Sequence, residues 1–343
     1  MPLRPLYGHE AIRSRLGTSV KAAKLPQALL FEGPRGVGKQ RLALWLAQTA
    51  LCERGGTEPC GECRSCGLAA TLSHPDLHWI VPLELSKKGA DADKQIELVE
   101  EALGDEMAAR RERPLYGPLP GMAVHSVAAV RLLLRQAVLT PAMGTRKVFI
   151  VGDAERLIPQ RANPEAANAL LKVLEEPPAD TILILTAAEP DALLPTILSR
   201  VVRVRVQRVP DSVVTAFAHN ELPEVKDAVS QAEGCIGRLL ARTPVSGSGD
   251  ASGAFLQTLK GSAAERYGLA LRQAPFQARG GFTDMLDGLL ERLRKEARRG
   301  GDTRRLAEAI ALVLKAREQA QGNVNPQLLA AVLADDVADQ WPS

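Results

Sequence analysis

Short apolar runs alternate with amphipathic segments over the first 208 residues of the chain. Each run is four to six residues long and mostly apolar, which is typical of strands buried in a parallel sheet. The segments between the runs place apolar side chains at the spacing of one helix face. The predicted strands are 29–32, 77–82, 146–153 with its apolar run at 146–151, 181–186 and 201–206. The main predicted helices are 6–20, 41–51, 124–139 and 166–176. This alternation predicts an α/β domain over residues 1–208.

The pattern becomes purely helical after residue 208. Residues 209–243 are expected to form a small helical segment that carries Arg238 early in a helix, and 244–252 form a linker rich in Ser and Gly. Residues 253–343 show helix-spaced Ala, Leu and Arg without strand signals. The sequence therefore predicts a separate all-α domain at the C-terminal end.

A glycine-rich turn connects the first apolar run to the next helix. Glycines at 33, 36 and 38 let successive backbone N–H groups point inward, and Lys39 adds a positive charge toward bound phosphates. The position after this lysine normally holds Ser or Thr, whose hydroxyl binds Mg²⁺, and here it is Gln40. The predicted nucleotide-binding residues of this turn are Gly33, Pro34, Arg35, Gly36, Val37, Gly38, Lys39 and Gln40. The sequence predicts a phosphate cradle that lacks one metal ligand.

Asp153 follows the third apolar run, where a phosphate-loop protein places the carboxylate that supports Mg²⁺. The next residue is Ala154, at the position where an ATPase of this type holds an acid to polarise the attacking water. Glu155 comes one residue later. Because side chains alternate between the two faces of a strand, we expect Glu155 to point away from the cradle.

Four of the five cysteines lie between residues 52 and 66. Four thiols at this spacing, three of them in a C-x₂-C-x₂-C arrangement, can surround one Zn²⁺ tetrahedrally. The predicted ligands are Cys52, Cys60, Cys63 and Cys66. The alternative is a group of free or redox-active thiols. A zinc ion closed in by four protein ligands would be structural.

Residues 86–120 are charged and irregular, with one candidate helix at 95–113, and we expect a solvated insertion without an assigned function. No apolar run reaches the roughly 20 residues that span a bilayer, so a cytoplasmic protein is expected, without a membrane partner. The net charge of +3 and an aromatic content of 3% give little support to direct single-strand binding by this chain alone.

Several motifs together resemble bacterial DNA polymerase III clamp-loader subunits. They are residues 168–178, the Thr-Ile-Leu-Ser-Arg segment at 196–200, the four-cysteine knuckle, His-Pro-Asp at 74–76 and the segment 323–328. The resemblance covers nearly the whole chain apart from 86–120. It implies an AAA+ phosphate-loop domain with an inserted zinc module, followed by a helical lid at 209–243 and an all-α collar at 253–343 that serves in oligomerisation.

The resemblance leaves two classes of subunit open. One is the ATP-hydrolysing gamma/tau motor, and the other is the delta-prime subunit, which has the same fold and generally serves as a rigid stator. This chain departs from the motor pattern at Gln40, at Ala154 and at Ala187, which stands where the motor has a polar γ-phosphate sensor. These departures favour the stator, with a gamma/tau-type motor as the alternative. The zinc knuckle and the Ser-Arg pair disfavour a generic phosphate-loop kinase or hydrolase.

The resemblance also implies roles for two arginines and a set of partners. Arg200 resembles the arginine finger that reaches the ATP of a neighbouring subunit, the alternative being a plain surface arginine, and Arg238 resembles the second sensor arginine of the lid. The implied partners are gamma/tau and delta subunits, with the sliding clamp and primed DNA reached through the complex. The complex belongs to the DNA-directed DNA polymerase holoenzyme, a nucleotidyltransferase. Binding of ATP, ADP or Mg²⁺ by the chain itself stays open at this point.

Overall fold

The computed structural model describes residues 3–84, 91–115, 123–158, 164–223, 229–240, 251–259, 261–272, 281–299, 302–320 and 324–338. The described residues fall into two compact units, one up to residue 240 and one from residue 251. In this part of the chain no helix combines the length and the apolar character needed to cross a membrane.

The first unit is built on a five-stranded, all-parallel sheet with the strand order β2-β3-β4-β1-β5. Its strands are β1 (Ala28–Glu32), β2 (Leu77–Ile80), β3 (Lys147–Val151), β4 (Thr181–Ala187) and β5 (Val202–Arg205). Leu185 of β4 pairs with Leu30 of β1 on one side and with Val151 of β3 on the other. Because the strands are parallel, the segments that follow β1, β3 and β4 therefore lie next to one another at the carboxyl ends of the strands.

The central strands form the core because almost all of their side chains are apolar. Leu30, Phe31, Phe149 and Ile184 are fully buried. Such continuous apolar strands occur where helices cover a parallel sheet. β5 lies at an edge and is largely exposed, which agrees with its alternating arginines.

Ten helices of the first unit are described: α1 (Glu10–Lys21), α2 (Lys39–Ala50), α3 (Arg64–Ala70), α4 (Ala92–Glu112), α5 (Val127–Ala137), α6 (Glu165–Glu175), α7 (Pro195–Leu198), α8 (Asp211–Glu221), α9 (Val229–Ala232) and α10 (Ile236–Leu240). The prediction that the first helix begins at residue 6 is wrong. Gly8 and His9 have φ angles of 77° and 63°, so the chain turns there before the helix begins.

The charged insertion contains the predicted helix, observed as α4, but this helix is packed against the rest of the unit. α4 packs against α5 and buries Ile96, Val99 and Leu103, so the interpretation of this region as merely solvated is wrong. The three side chains recur at helical spacing on one face of an otherwise charged helix. Of the predicted insertion, residues 86–90 and 116–120 lie outside the described residues.

The second unit is helical throughout its described residues. It consists of α11 (Ala251–Leu259), α12 (Ala263–Leu271), α13 (Gly281–Arg298), α14 (Thr303–Gln319) and α15 (Pro326–Ala338). Its core includes Phe255, Leu286, Leu293, Leu306 and Val313. Of the predicted linker, 244–250 lie outside the described residues, and 251–252 already belong to α11 rather than to a linker.

Asp76 is a buried carboxylate that organises the start of β2. It is 2% exposed, and its two oxygens accept the backbone N–H groups of Ala142 and Met143, each at 2.6 Å. The N–H group of Asp76 donates to Nδ1 of His74 at 3.0 Å, so the ring proton lies on Nε2, 2.6 Å from the hydroxyl oxygen of Ser65. His74 is therefore a donor to Ser65 and ties α3 to the sheet. It does not activate a nucleophile.

We expect Asp76→Asn to lower the free energy of unfolding by about 1–3 kcal/mol, because one of two buried N–H donors then faces an amide NH₂ group instead of an acceptor. Urea denaturation followed by tryptophan fluorescence measures the change. Asp191→Asn is the matched control, since Asp191 is exposed and has no hydrogen-bond partner among the described residues. An equal loss in both variants would contradict the assignment.

Candidate functional site

The predicted phosphate loop joins the end of β1 to the start of α2. Gly36 and Gly38 have φ angles of 76° and 102°, which side-chain-bearing residues rarely adopt. These two glycines turn the chain so that α2 begins at Lys39 with its N-terminus at the edge of the sheet. The loop is where the sequence predicted it.

Four carbonyl groups of this loop, those of Gly33, Pro34, Gly36 and Val37, accept hydrogen bonds. Nζ of Lys39 donates to the carbonyl oxygens of Gly33 and Pro34, at 2.8 and 3.0 Å. The carbonyl oxygen of Gly36 accepts the backbone N–H of Gly237 at 2.8 Å. The carbonyl oxygen of Val37 accepts from Nε2 of His9 at 2.9 Å. With its carbonyls held by donors, the loop keeps one backbone conformation.

Several backbone N–H groups of the same loop and of the start of α2 are unpaired, although those of Gly33 and Val37 donate to carbonyl oxygens. Among the described residues, no acceptor is found for the backbone N–H groups of Gly36, Gly38, Lys39 and Gln40. The first N–H groups of a helix have no intrahelical partner and carry its partial positive charge. A set of unpaired N–H groups at a helix N-terminus is an anion-binding arrangement, and a phosphate group fits it.

Lys39 is 6% exposed despite its charge. Burial lowers its pKa, and the nearby carboxylates of Glu155 and Asp153 act in the opposite direction. The ammonium group therefore lies in a site where two negative side chains help to keep it charged. A bound phosphate would add to that effect.

Gln40 packs its side chain against Gly152, the residue after β3. A Cβ atom on Gly152 would lie 3.1 Å from Cδ, Oε1 and Nε2 of Gln40, so a side chain at 152 would crowd the amide. The Oε1 atom of Gln40 is buried and has no hydrogen-bond partner among the described residues. Sequence reasoning did not find the role of Gly152, because it depends on a contact between residues 112 positions apart.

Asp153 and Glu155 follow β3 in a short turn. The N–H group of Asp153 donates to the hydroxyl oxygen of Thr186 at 3.0 Å, and a 3-10 helix begins directly after it, at Ala154–Leu157. Ala154 is fully buried. The hydroxyl of Thr186 thus holds the backbone of Asp153, while the neighbouring Ala187 offers only a buried methyl group.

The prediction that Glu155 points away from the cradle is wrong. Its Oε1 atom accepts the N–H group of Ala188 at 3.1 Å, and its Oε2 atom is buried without a partner among the described residues. Burial raises the pKa of Glu155, and so does the carboxylate of Asp153, whereas Lys39 lowers it. Strand alternation does not apply here because the chain is already in a 3-10 turn.

Arg200 lies just after α7, on the surface. Its Nη1 atom donates to the carbonyl oxygen of Thr196 at 2.9 Å and to the hydroxyl of Ser199 at 3.3 Å. Its Nη2 atom donates to Oε1 of Glu175 at 2.9 Å. The side chain of Arg200 is 34% exposed, so it is accessible to a partner.

Arg238 lies in α10, whose first turn touches the phosphate loop. A Cβ atom on Gly237 would come within 2.5 Å of Cα of Gly36, so the two backbones are in contact. Arg238 itself forms an ion pair with Glu233 at 2.7 Å, which Arg208 also approaches at 3.4 Å. The role of Arg238 stays a prediction. The sequence did not single out Gly237, because only the fold shows what Gly237 touches.

The four predicted metal ligands come together. The sulfur atoms of Cys52, Cys60, Cys63 and Cys66 all lie within 4.8 Å of one another. The Sγ atoms of Cys60 and Cys66 are 3.9 Å apart. Sγ of Cys60 accepts the N–H group of Cys63 at 3.4 Å, and backbone N–H groups lower the pKa of Cys60 to about 6. The thiolate form that a metal requires is therefore favoured at Cys60, whereas burial raises the pKa of Cys66.

Curated proteins that are similar in sequence to this chain include subunits of DNA polymerase III. The subunit delta' of DNA polymerase III from Bacillus subtilis is 34% identical over 185 residues, which cover 54% of this chain and 43% of the relative. The subunit delta' from Pseudomonas aeruginosa is 36% identical over 195 residues, 57% of this chain and 46% of the relative. The subunit gamma/tau from Mycobacterium tuberculosis is 30% identical over 196 residues, 57% of this chain and 27% of the relative.

A solved structure is similar over more of the chain. The gamma subunit-related protein of DNA polymerase III from Thermotoga maritima aligns with 95% of this chain and 99% of its own, at 15% identity and a TM-score of 0.49. The chain spans less than half the length of the two delta' relatives that it matches.

The family model described as DNA polymerase III, delta subunit, matches residues 8–210. The match begins just before α1 and ends just before α8, so it includes every strand of the sheet, the phosphate loop and the cysteine cluster. It also extends over more than half of the chain. On this basis the chain belongs to the DNA polymerase III delta subunit family.

Proposed function

We propose that this chain is a stator of the delta-prime type in the clamp loader of DNA polymerase III. It assembles with gamma/tau and delta subunits, and the complex places the sliding clamp on primed DNA in the cytoplasm. The family match and the names of the delta' relatives support this function. In this proposal residues 1–208 are an AAA+ nucleotide-binding-like domain, 209–243 a lid, and 253–343 a collar.

The observation that carries the proposal is the packing of Gln40 against Gly152. An ATPase of this class needs a hydroxyl at position 40 for Mg²⁺ and a group that orients the attacking water. Here an amide and the buried methyl group of Ala154 occupy these positions. The backbone cradle and Lys39 would still hold the phosphates of ATP or ADP. Any Mg²⁺ would depend on Asp153 and the amide oxygen of Gln40.

One observation favours the alternative, a gamma/tau-type motor. The buried carboxyl of Glu155 interacts with both Lys39 and Asp153, so an acid is present near the cradle although position 154 has none. Turnover by the isolated chain distinguishes the two functions.

Arg200 would act on a neighbouring subunit. It is exposed on the surface of the first unit, and an arginine supplied across an interface stabilises the charge that develops as the γ-phosphate leaves. The subunit would then complete an adjacent ATP site although its own site lacks catalytic parts.

The cysteine cluster fits a structural zinc ion. In a tetrahedral site with Zn–S bonds of about 2.3 Å, neighbouring sulfur atoms lie about 3.8 Å apart. The separation of 3.9 Å between Cys60 and Cys66 matches this value. The ion would connect the end of α2 to the start of α3 and hold the segment between them in one conformation.

We expect the purified chain alone to show no ATP turnover above background, because its site lacks both catalytic groups. A coupled ATPase assay measures the rate, and Lys39→Ala reveals any contaminating activity, which would persist in that variant. Steady hydrolysis that disappears in both Lys39→Ala and Glu155→Gln would support the motor alternative instead.

We expect Arg200→Ala to lower the DNA-stimulated ATPase rate of the reconstituted loader by about 10³-fold at the adjoining site, since an arginine finger contributes on this order. Assembly, followed by gel filtration, should be unchanged. Arg205→Ala is the matched control, an exposed arginine on β5 without an ion-pair partner among the described residues. A normal rate in Arg200→Ala would remove the proposed role.

We expect the chain purified from zinc-containing medium to hold about one Zn²⁺, and Cys63→Ser to lose it together with thermal stability, because three thiolates bind less tightly than four. Metal analysis and a melting curve measure the two effects. Cys235→Ser is the control, since this buried thiol lies outside the cluster. Equal metal content in wild type and Cys63→Ser would contradict the assignment.

A further inference from the structure

The C-terminal end of α6 carries two adjacent carboxylates, Glu175 and Glu176, immediately before Pro177. The carbonyl groups at a helix C-terminus carry a partial negative charge, so acidic side chains are unfavourable there and basic ones are preferred. This placement opposes the local preference of the helix. The fold supplies a contact for one of the two carboxylates.

Glu175 contacts Arg200, and Glu176 has no partner among the described residues. The carboxylate of Glu175 lies 2.9 Å from Nη2 of Arg200, although the two residues are 25 positions apart. The side chains are 51% and 34% exposed, so solvent screens the pair. Exposed ion pairs of this kind contribute little to stability.

The contact between Glu175 and Arg200 restricts the orientation of the guanidinium group. Glu175 holds Nη2, while the carbonyl of Thr196 and the hydroxyl of Ser199 hold Nη1. Contacts on both terminal nitrogens fix the plane of a guanidinium group that otherwise samples many rotamers. The Nε–H group has no acceptor among the described residues. The guanidinium group is thus oriented, and part of it stays available to an external oxygen atom.

We propose that Glu175 is a positioning residue for Arg200. It holds the guanidinium group in the orientation that meets a phosphate oxygen of a nucleoside triphosphate bound by the adjoining subunit. This inference rests on the proposed function, in which Arg200 acts across an interface. Glu175 contacts only Nη2, and the Nε–H group is left for a phosphate oxygen, so the two acceptors can bind different N–H groups of the same guanidinium.

The test uses the reconstituted loader with its motor and delta subunits, sliding clamp and primed DNA. We expect Glu175→Ala to lower kcat for ATP by about three- to tenfold with KM unchanged, since loss of one contact frees an arginine side chain. Glu176→Ala is the matched control and should leave kcat unchanged. Alanine favours a helix, so neither variant should impair folding.

Three further measurements separate positioning from a structural role. Glu175→Gln keeps an acceptor oxygen and should recover part of the lost rate. The variant that combines Arg200→Ala with Glu175→Ala should have the same kcat as Arg200→Ala alone, because Glu175 acts only through Arg200. The deficit of Glu175→Ala should shrink in high salt, which screens the ion pair in wild type.

The outcomes distinguish the inference from the function on which it rests. A normal rate in Arg200→Ala overturns the role of the arginine itself. A slow Arg200→Ala combined with a normal or faster Glu175→Ala overturns only the positioning role. The positioning role is also overturned if Glu175→Ala changes KM alone, or if Glu176→Ala lowers kcat as much as Glu175→Ala does. The same holds if the losses of the two single variants add in the variant that combines Arg200→Ala with Glu175→Ala.

Discussion

Parallel pairing of β4 with β1 and β3 is the constraint on which the site depends. Leu185 pairs with Leu30 and Val151, and the fully buried Phe31, Ile150 and Ile184 stabilise this arrangement through apolar burial. Because all three strands run in the same direction, their carboxyl ends lie side by side on the same side of the sheet. The phosphate loop, the turn after β3 and the end of β4 are therefore neighbours, although they come from three distant parts of the chain.

The cradle at the carboxyl ends of these strands is made of main-chain groups, so its shape does not depend on the side chains at positions 40 and 154. The unpaired N–H groups exist because α2 starts there and because Gly36 and Gly38 allow the turn. Replacing a hydroxyl by Gln40, or an acid by Ala154, changes none of these groups. Anion binding and hydrolysis thus depend on different atoms of the same site, and the second can be lost while the first remains.

Sequence reasoning succeeded where the signal was local. The apolar runs predicted the strands, the glycine spacing predicted the loop, and the cysteine spacing predicted the residues that meet in one cluster. It failed where the determinant was non-local or where a periodicity ended. Glu155 was misplaced because strand alternation was extended into a 3-10 turn, and the contacts of Gly152 with Gln40 and of Gly237 with Gly36 join segments far apart in the sequence.

The end of α6 differs from both cases. Its two acidic residues are visible in the sequence, but only the fold shows what one of them contacts. Two acids before Pro177 conflict with the helix dipole, and from the sequence alone this conflict is only an unfavourable local choice. The fold places Arg200 beside one of the two acids and leaves the other exposed. Since the exposed ion pair adds little stability, its value lies in orienting a cation at the surface. A residue that opposes its local preference in this way is a reason to look for function nearby.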